Sequence, residues 1–118
     1  MSMAIIFVKL EAVGFHHWPD APGHRDYLRH KHRHLFHLEA RTAVGHDDRE
    51  IEFHDVRDEL GRLWLGMAGL GGDLGKMSCE AMARRLCAGL AALWPRTWQV
   101  SVSEDGEAGA VVRIEVDD

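Results

Sequence analysis

Nine of the 118 residues are histidines, and seven of them fall between His16 and His37. Histidine is the commonest protein metal ligand and changes charge near neutral pH. Which of these imidazoles can converge is set by spacing. Two histidines at i and i+2 on a β-strand project from one face and can reach one ion. His32 and His34 have that spacing. His16 ends an alternating apolar segment and is in phase with its apolar face. On a neighbouring strand it can close a three-histidine site. Zinc takes three or four N, O or S ligands at about 2.0–2.3 Å, and three protein ligands leave a position for water or substrate. The same residues also fit a solvated polar patch at two strand ends. His30 keeps the parity of His32 and His34 but precedes the regular strand, and His37 takes the opposite face. His17, His24, His46 and His54 lack convergent spacing.

The elements around these residues follow from periodicity. Ile6, Val8, Leu10 and Ala12 alternate with residues such as Lys9 and Glu11, which predicts a strand over Met3–Phe15. Pro19, Pro22 and Gly23 end it. Arg25 to Lys31 reads as a short helical turn or an irregular lead-in. A second strand is predicted over His32–Val44, with His32, His34, Phe36, Leu38 and Ala40 on one face and Arg33, His37, Glu39 and Arg41 on the other. Asp47-Asp48-Arg49 is a turn, and Ile51-Glu52-Phe53 a short extended piece. A helix is expected from near Asp55, with Val56, Leu60, Leu63 and Trp64 as its apolar stripe. Five glycines between Leu65 and Lys76 read as a mobile loop. A second helix is predicted over Cys79–Leu93, capped by Ser78, with Glu80 in its first turn. Met82, Leu86, Leu90 and Leu93 form its buried stripe, and Pro95 stops it. Trp98, Val100 and Val102 alternate on a third strand, with Glu104 in their phase. Asp105 to Gly109 is a turn, and Ala110, Val112, Ile114 and Val116 return. The order β-β-α-α-β-β defines one α+β domain over residues 1–118 with an antiparallel sheet.

Composition narrows the function classes. A net charge of −5 without runs of like charge argues against general nucleic-acid binding. Basic residues gather between Arg25 and Arg33, but histidines interrupt them and a phosphate site is not favoured. No apolar run approaches the roughly 20 residues of a membrane span. The apolar start has neither a basic region nor a cleavage site, so a strand is expected there and not a signal peptide. The cytoplasm is the expected compartment. Cys79 and Cys87, eight residues apart on one helix, would lie about 12 Å apart, too far for a disulfide. They are expected to be free thiols.

The motifs, taken in order, resemble the 6-pyruvoyl- and 6-carboxy-tetrahydropterin synthases of the tunnelling fold. Gly14-Phe15-His16-His17 is similar to the end of that family's first strand. His32-Arg33-His34-Leu35-Phe36 resembles its His-Gly-His opening of the second. Glu52-Phe53-His54-Asp55-Val56-Arg57 is similar to Asp-Phe-Gly-Asp-Leu-Lys, and Ser78-Cys79-Glu80 to Thr-x-Glu. Glu104-Asp105-Gly106-Glu107-Ala108-Gly109-Ala110 takes the place of the glutamate and small-residue turn of the last hairpin. The resemblance implies a four-stranded antiparallel sheet with two helices on one face. It also implies sheets joined into an oligomeric barrel, commonly a hexamer, with sites between subunits. It implies His16, His32 and His34 as zinc ligands, Glu104 as the anchor of a pterin ring, and a substrate such as dihydroneopterin triphosphate.

Two departures qualify the chemistry. The family cysteine, four residues before His-Gly-His, is Leu28 here. The family's Asp-His pair falls in the glycine-rich stretch, where Asp73 alone is titratable before Lys76. Tyr27 and His30, next to the missing cysteine, are the candidates for a substitute acid or base. The alternatives are a non-catalytic metal- and pterin- or purine-binding oligomer, and a structural oligomer with vestigial histidines.

Overall fold

Alternation over thirteen residues on each of two segments gives two long strands. In the computed structural model, which describes residues 2–116, β1 is Ala4–His16 and β2 is His32–Val44. They pair antiparallel along their whole length, from Ala4 opposite Val44 to His16 opposite His32. This register puts the apolar alternate residues of both strands on one face. β3 (Trp98–Glu104) pairs with β2, and β4 (Ala108–Ile114) pairs with β3, giving the order β1-β2-β3-β4. Helices α1 (Phe53–Ala68) and α2 (Cys79–Leu93) cover the apolar face. The core lies between, with Phe36, Leu38, Val100, Val102 and Trp98 from the sheet meeting Val56, Leu60, Met82, Leu86 and Leu90 from the helices. The predicted element order and class are those observed.

Several boundaries differ for physical reasons. Phe53 belongs to α1 and not to an extended piece, because the Glu52 carboxylate accepts the His54 N–H and caps the helix there. Gly66 does not end α1. Burial continues every fourth residue through Val56, Leu60, Trp64 and Ala68, and this outweighs the roughly 1 kcal/mol that an interior glycine costs. The chain turns instead at Gly69, with φ 67°. Leu93 is 53% exposed at the end of α2 and is not part of its buried stripe. β4 begins at Ala108 and ends at Ile114, so Val116 lies beyond the strand. Gly23–Leu28 is a 3₁₀ turn.

The glycine-rich stretch is tied to the end of β1. Phe15 donates its N–H to the Gly72 carbonyl at 2.8 Å, Leu74 donates to the Phe15 carbonyl at 2.8 Å, and His17 donates to the Gly75 carbonyl at 2.9 Å. Leu74 is buried beneath. At Gly72, with φ 71°, a Cβ would come 3.0 Å from the Val13 carbonyl oxygen, so glycine is what permits this approach.

Candidate metal centre

The pairing of β1 with β2 sets His16 directly opposite His32. His34 follows two residues along β2 on the same face. Glu104 ends β3 opposite Phe36, so it also stands on that face, one pair further into the sheet. Phe36 lies beneath the group, its ring 5.4 Å from that of His16 and 5.6 Å from that of His34. One ligand atom from each of His16, His32, His34 and Glu104 lies within 4.8 Å of every other.

The histidines are oriented by acceptors behind them. His16 Nδ1 lies 2.8 Å from the Met77 carbonyl oxygen, and His32 Nδ1 lies 2.9 Å from the His30 carbonyl oxygen. His34 Nδ1 lies 2.8 Å from Asp105 Oδ2. Carbonyls and carboxylates accept only, so each Nδ1 carries the hydrogen and donates it. Each Nε2 of a neutral ring is then a free lone pair. All three Nε2 atoms are buried, and none has a hydrogen-bond partner. Buried polar atoms are rarely left so. Three inward lone pairs with outward N–H groups anchored on acceptors is the arrangement that metal-binding histidines use.

Asp105 anchors twice, since its Oδ1 also accepts the Leu35 N–H at 2.9 Å. The His34 ring and then the Leu35 N–H hold its carboxyl below the usual carboxylate range. Asp105 itself has φ 57°, which turns the chain at the head of the β3–β4 hairpin and aims the carboxylate back at β2.

A cleft of about 480 Å³ opens beside the histidines, lined by His16, His32 and Glu104, by Trp18 and Leu28, and by the start of α2. That volume falls in the range that holds a small organic ligand. A cleft of about 560 Å³ on the open face of the sheet has Lys9, Glu11, His37 and Glu39 in its lining. There Lys9 pairs with Glu39 at 3.7 Å and His37 with Glu11 at 3.6 Å, and among the described residues no ligand set converges.

The structure thus brings together His16, His32, His34 and Glu104. Leu28, at the position of the expected cysteine, faces the same cleft. Tyr27 is 63% exposed, and with Asp26, Arg29 and His30 it lines a separate shallow depression. His30 serves the centre through its backbone carbonyl. Asp73 pairs with Lys31 at 3.7 Å. Sequence reasoning missed the anchoring acceptors. Two are backbone carbonyls, which have no sequence signature. The third, Asp105, was legible only as a turn residue. It also missed that Cys79 lines the cleft. That thiol is pushed up to about 12, first by burial and then by the charges of Glu104 and Glu80.

No family model matches the sequence, and no curated protein does. Solved structures match in fold. One is a Plasmodium vivax 6-pyruvoyltetrahydropterin synthase whose catalytic glutamate is replaced by cysteine. It is 12% identical, with a TM-score of 0.68 over 98% of this chain and 100% of that one. Another 6-pyruvoyltetrahydropterin synthase structure from Plasmodium vivax is 11% identical, with a TM-score of 0.64 over the same shares. The chain therefore has the 6-pyruvoyltetrahydropterin synthase fold, the tunnelling fold expected from its motifs. Among the described residues, no helix is long and apolar enough to cross a membrane.

Proposed function

We propose that this chain is a zinc-dependent protein of the 6-pyruvoyl- and 6-carboxy-tetrahydropterin synthase type that binds a pterin such as dihydroneopterin triphosphate. One observation carries the reading. Three buried histidine Nε2 atoms without hydrogen-bond partners converge beside a ligand-sized cleft, in the fold that the solved synthases share. His16, His32 and His34 hold the ion, and three neutral imidazoles suit zinc. A bound divalent ion supplies Lewis-acid polarisation of ligand hydroxyl groups.

The chain's own residues do the rest. Glu104 anchors the pterin ring, because a carboxylate can accept two hydrogen bonds from the N–H groups of a 2-amino-4-oxo pyrimidine edge. Trp18 and Leu28 give the cleft apolar walls. Leu28 cannot move a proton. General acid–base assistance is worth about 10²–10⁴-fold, so turnover to the usual family products is expected to be poor or absent. Should turnover occur at synthase rates, Tyr27 and His30 are the first residues to substitute.

The free edges of β1 and β4 support assembly, as do exposed Ile5, Phe7, Val13 and Val111 on the open face of those strands. A homo-oligomer, a hexamer by the resemblance, covers both, and the cytoplasm is the proposed compartment. Light scattering should give a mass well above 13.3 kDa, and a monodisperse monomer at micromolar concentration contradicts the assembly.

Calorimetry with a pterin, comparing the parent with Glu104→Ala, tests the ring-binding reading. A hydrogen bond to a charged group is worth about 1.5–3 kcal/mol, so affinity should fall at least about tenfold. Unchanged affinity removes Glu104 from the ring site and reopens the ligand class.

A further inference from the structure

Glu104 stands closer to the histidines than a ring anchor requires. Its Oε2 is 2.8 Å from His16 Nε2 and 3.4 Å from His34 Nε2. Neither approach has the direction of a hydrogen bond, since both nitrogens lack a partner. With each Nδ1 donating to a fixed acceptor, these are contacts between lone pairs and a carboxylate oxygen. On neutral rings such contacts repel unless a metal ion lies among them, and a proton shared there would need the hydrogen-bond direction that these contacts lack. Ligands of a tetrahedral zinc site, at about 2.0–2.1 Å from the ion, are about 3.3 Å from one another. The four converging atoms, all within 4.8 Å of each other, need only small side-chain shifts to reach that spacing.

We propose that Glu104 is the fourth protein ligand of the metal in the ligand-free protein, and that a ring-binding ligand must take this carboxylate away from it. The first half stands on the contacts above. The second rests on the ring-binding reading of the proposed function. Holding two ring N–H groups uses both carboxylate oxygens, and here Oε2 faces the imidazoles. The two roles are therefore alternatives for one side chain at the end of β3. The free protein has a closed His₃Glu site with no open position, and ligand entry opens it.

Cobalt(II) in place of zinc tests both halves, because its visible absorption reports coordination number and ligand exchange. The parent should show four-coordinate cobalt whose spectrum azide does not move. Glu104→Ala should let azide bind, and zinc affinity should fall at least about tenfold, since losing even an outer-sphere partner costs about 10–100-fold. Glu104→Gln keeps the shape of the side chain, so the same fall there assigns the effect to the carboxylate and not to folding. Azide moving the parent spectrum as readily as that of Glu104→Ala overturns the fourth ligand. So does unchanged zinc affinity in both variants. A pterin added to the parent should shift the cobalt spectrum. Calorimetric binding of the pterin with an unmoved spectrum overturns the exchange. Absence of calorimetric binding overturns the ring-binding reading and the exchange with it, while the azide arm still decides the fourth ligand.

Discussion

His32 and His34 lie only a few residues from His24 and His30, yet the two pairs behave differently. The first pair stands on β2, partly buried, with Nε2 atoms aimed at a common point. His24 and His30 lie in and just after the 3₁₀ turn Gly23–Leu28, where both are exposed. Residue type is the same in both regions. The difference is the backbone. A strand repeats its side-chain direction every two residues, so two histidines are held parallel and the partner strand brings a third. A short 3₁₀ turn that buries none of its residues points them outward. The anchoring acceptors then fix the ring orientation that strand phase leaves open. Convergence on this chain is thus a property of paired strands, and local density of histidine has little to do with it.

The largest effect should come from breaking that convergence. Protein purified without chelator is expected to carry about one zinc per chain. His32→Ala or His34→Ala should lose it, because each removes an imidazole ligand, which costs more than the roughly 10–100-fold of a lost outer-sphere partner. His24→Ala and His30→Ala should keep it. The His30 case is the sharper control, since its contribution is a backbone carbonyl that alanine also supplies. Metal analysis decides, and full zinc in the His32→Ala/His34→Ala double variant ends the assignment.

The phase of His16, His32 and His34 followed from period-two alternation, which long strands obey, and β2 and α2 have the bounds that their sequences predict. Glu104 was legible by phase as a residue of the apolar face, but its approach to His16 was not. That approach depends on β3 pairing with β2, and the partners lie far apart in the chain. The glycine-rich stretch misled for a related reason. Glycine density reports freedom of the backbone, whereas its hydrogen bonds to Phe15 and His17 are tertiary. Asp105 was masked by its own turn, because aspartate is common in turns whether or not its carboxylate does anything else.

A smaller effect should come from the anchor behind His34. Asp105→Asn can still accept a hydrogen bond from Nδ1 but loses the charge that makes the ring a stronger ligand. Zinc affinity should fall about 10–100-fold, with the stoichiometry at saturation unchanged. The metal-free protein offers a second readout. Asp105 has its folded pKa below the usual carboxylate value, through the His34 ring and the Leu35 N–H. Its contribution to stability is therefore complete above the unfolded pKa and lost as pH falls through the folded one. The gap between the urea midpoints of the parent and Asp105→Asn should be widest at about pH 6 and narrow as pH falls below the ordinary aspartate value of about 3.9. A constant gap across that range means that the carboxylate charge is not what stabilises this corner.

The smallest effect concerns the one thiol that lines the cleft. Cys79 begins α2, and a cysteine beside three histidines invites assignment as a nucleophile in place of the one that Leu28 displaces. The local electrostatics oppose that. Burial, then the Glu104 and Glu80 carboxylates, raise the thiol to about 12, so at about pH 8 only about one in 10⁴ is thiolate. Only the thiolate is nucleophilic. Cys87 is fully buried, its Sγ directed at the Trp98 carbonyl oxygen at 3.3 Å. In the metal-free, folded protein, iodoacetamide at about pH 8 should leave both cysteines essentially unmodified, whereas urea-unfolded chain should label at both. Mass spectrometry of the two reactions makes the comparison. Rapid labelling of Cys79 in the folded protein would show a reactive thiolate at the cleft. The missing acid–base function would then belong to α2, and neither Tyr27 nor His30 would be needed.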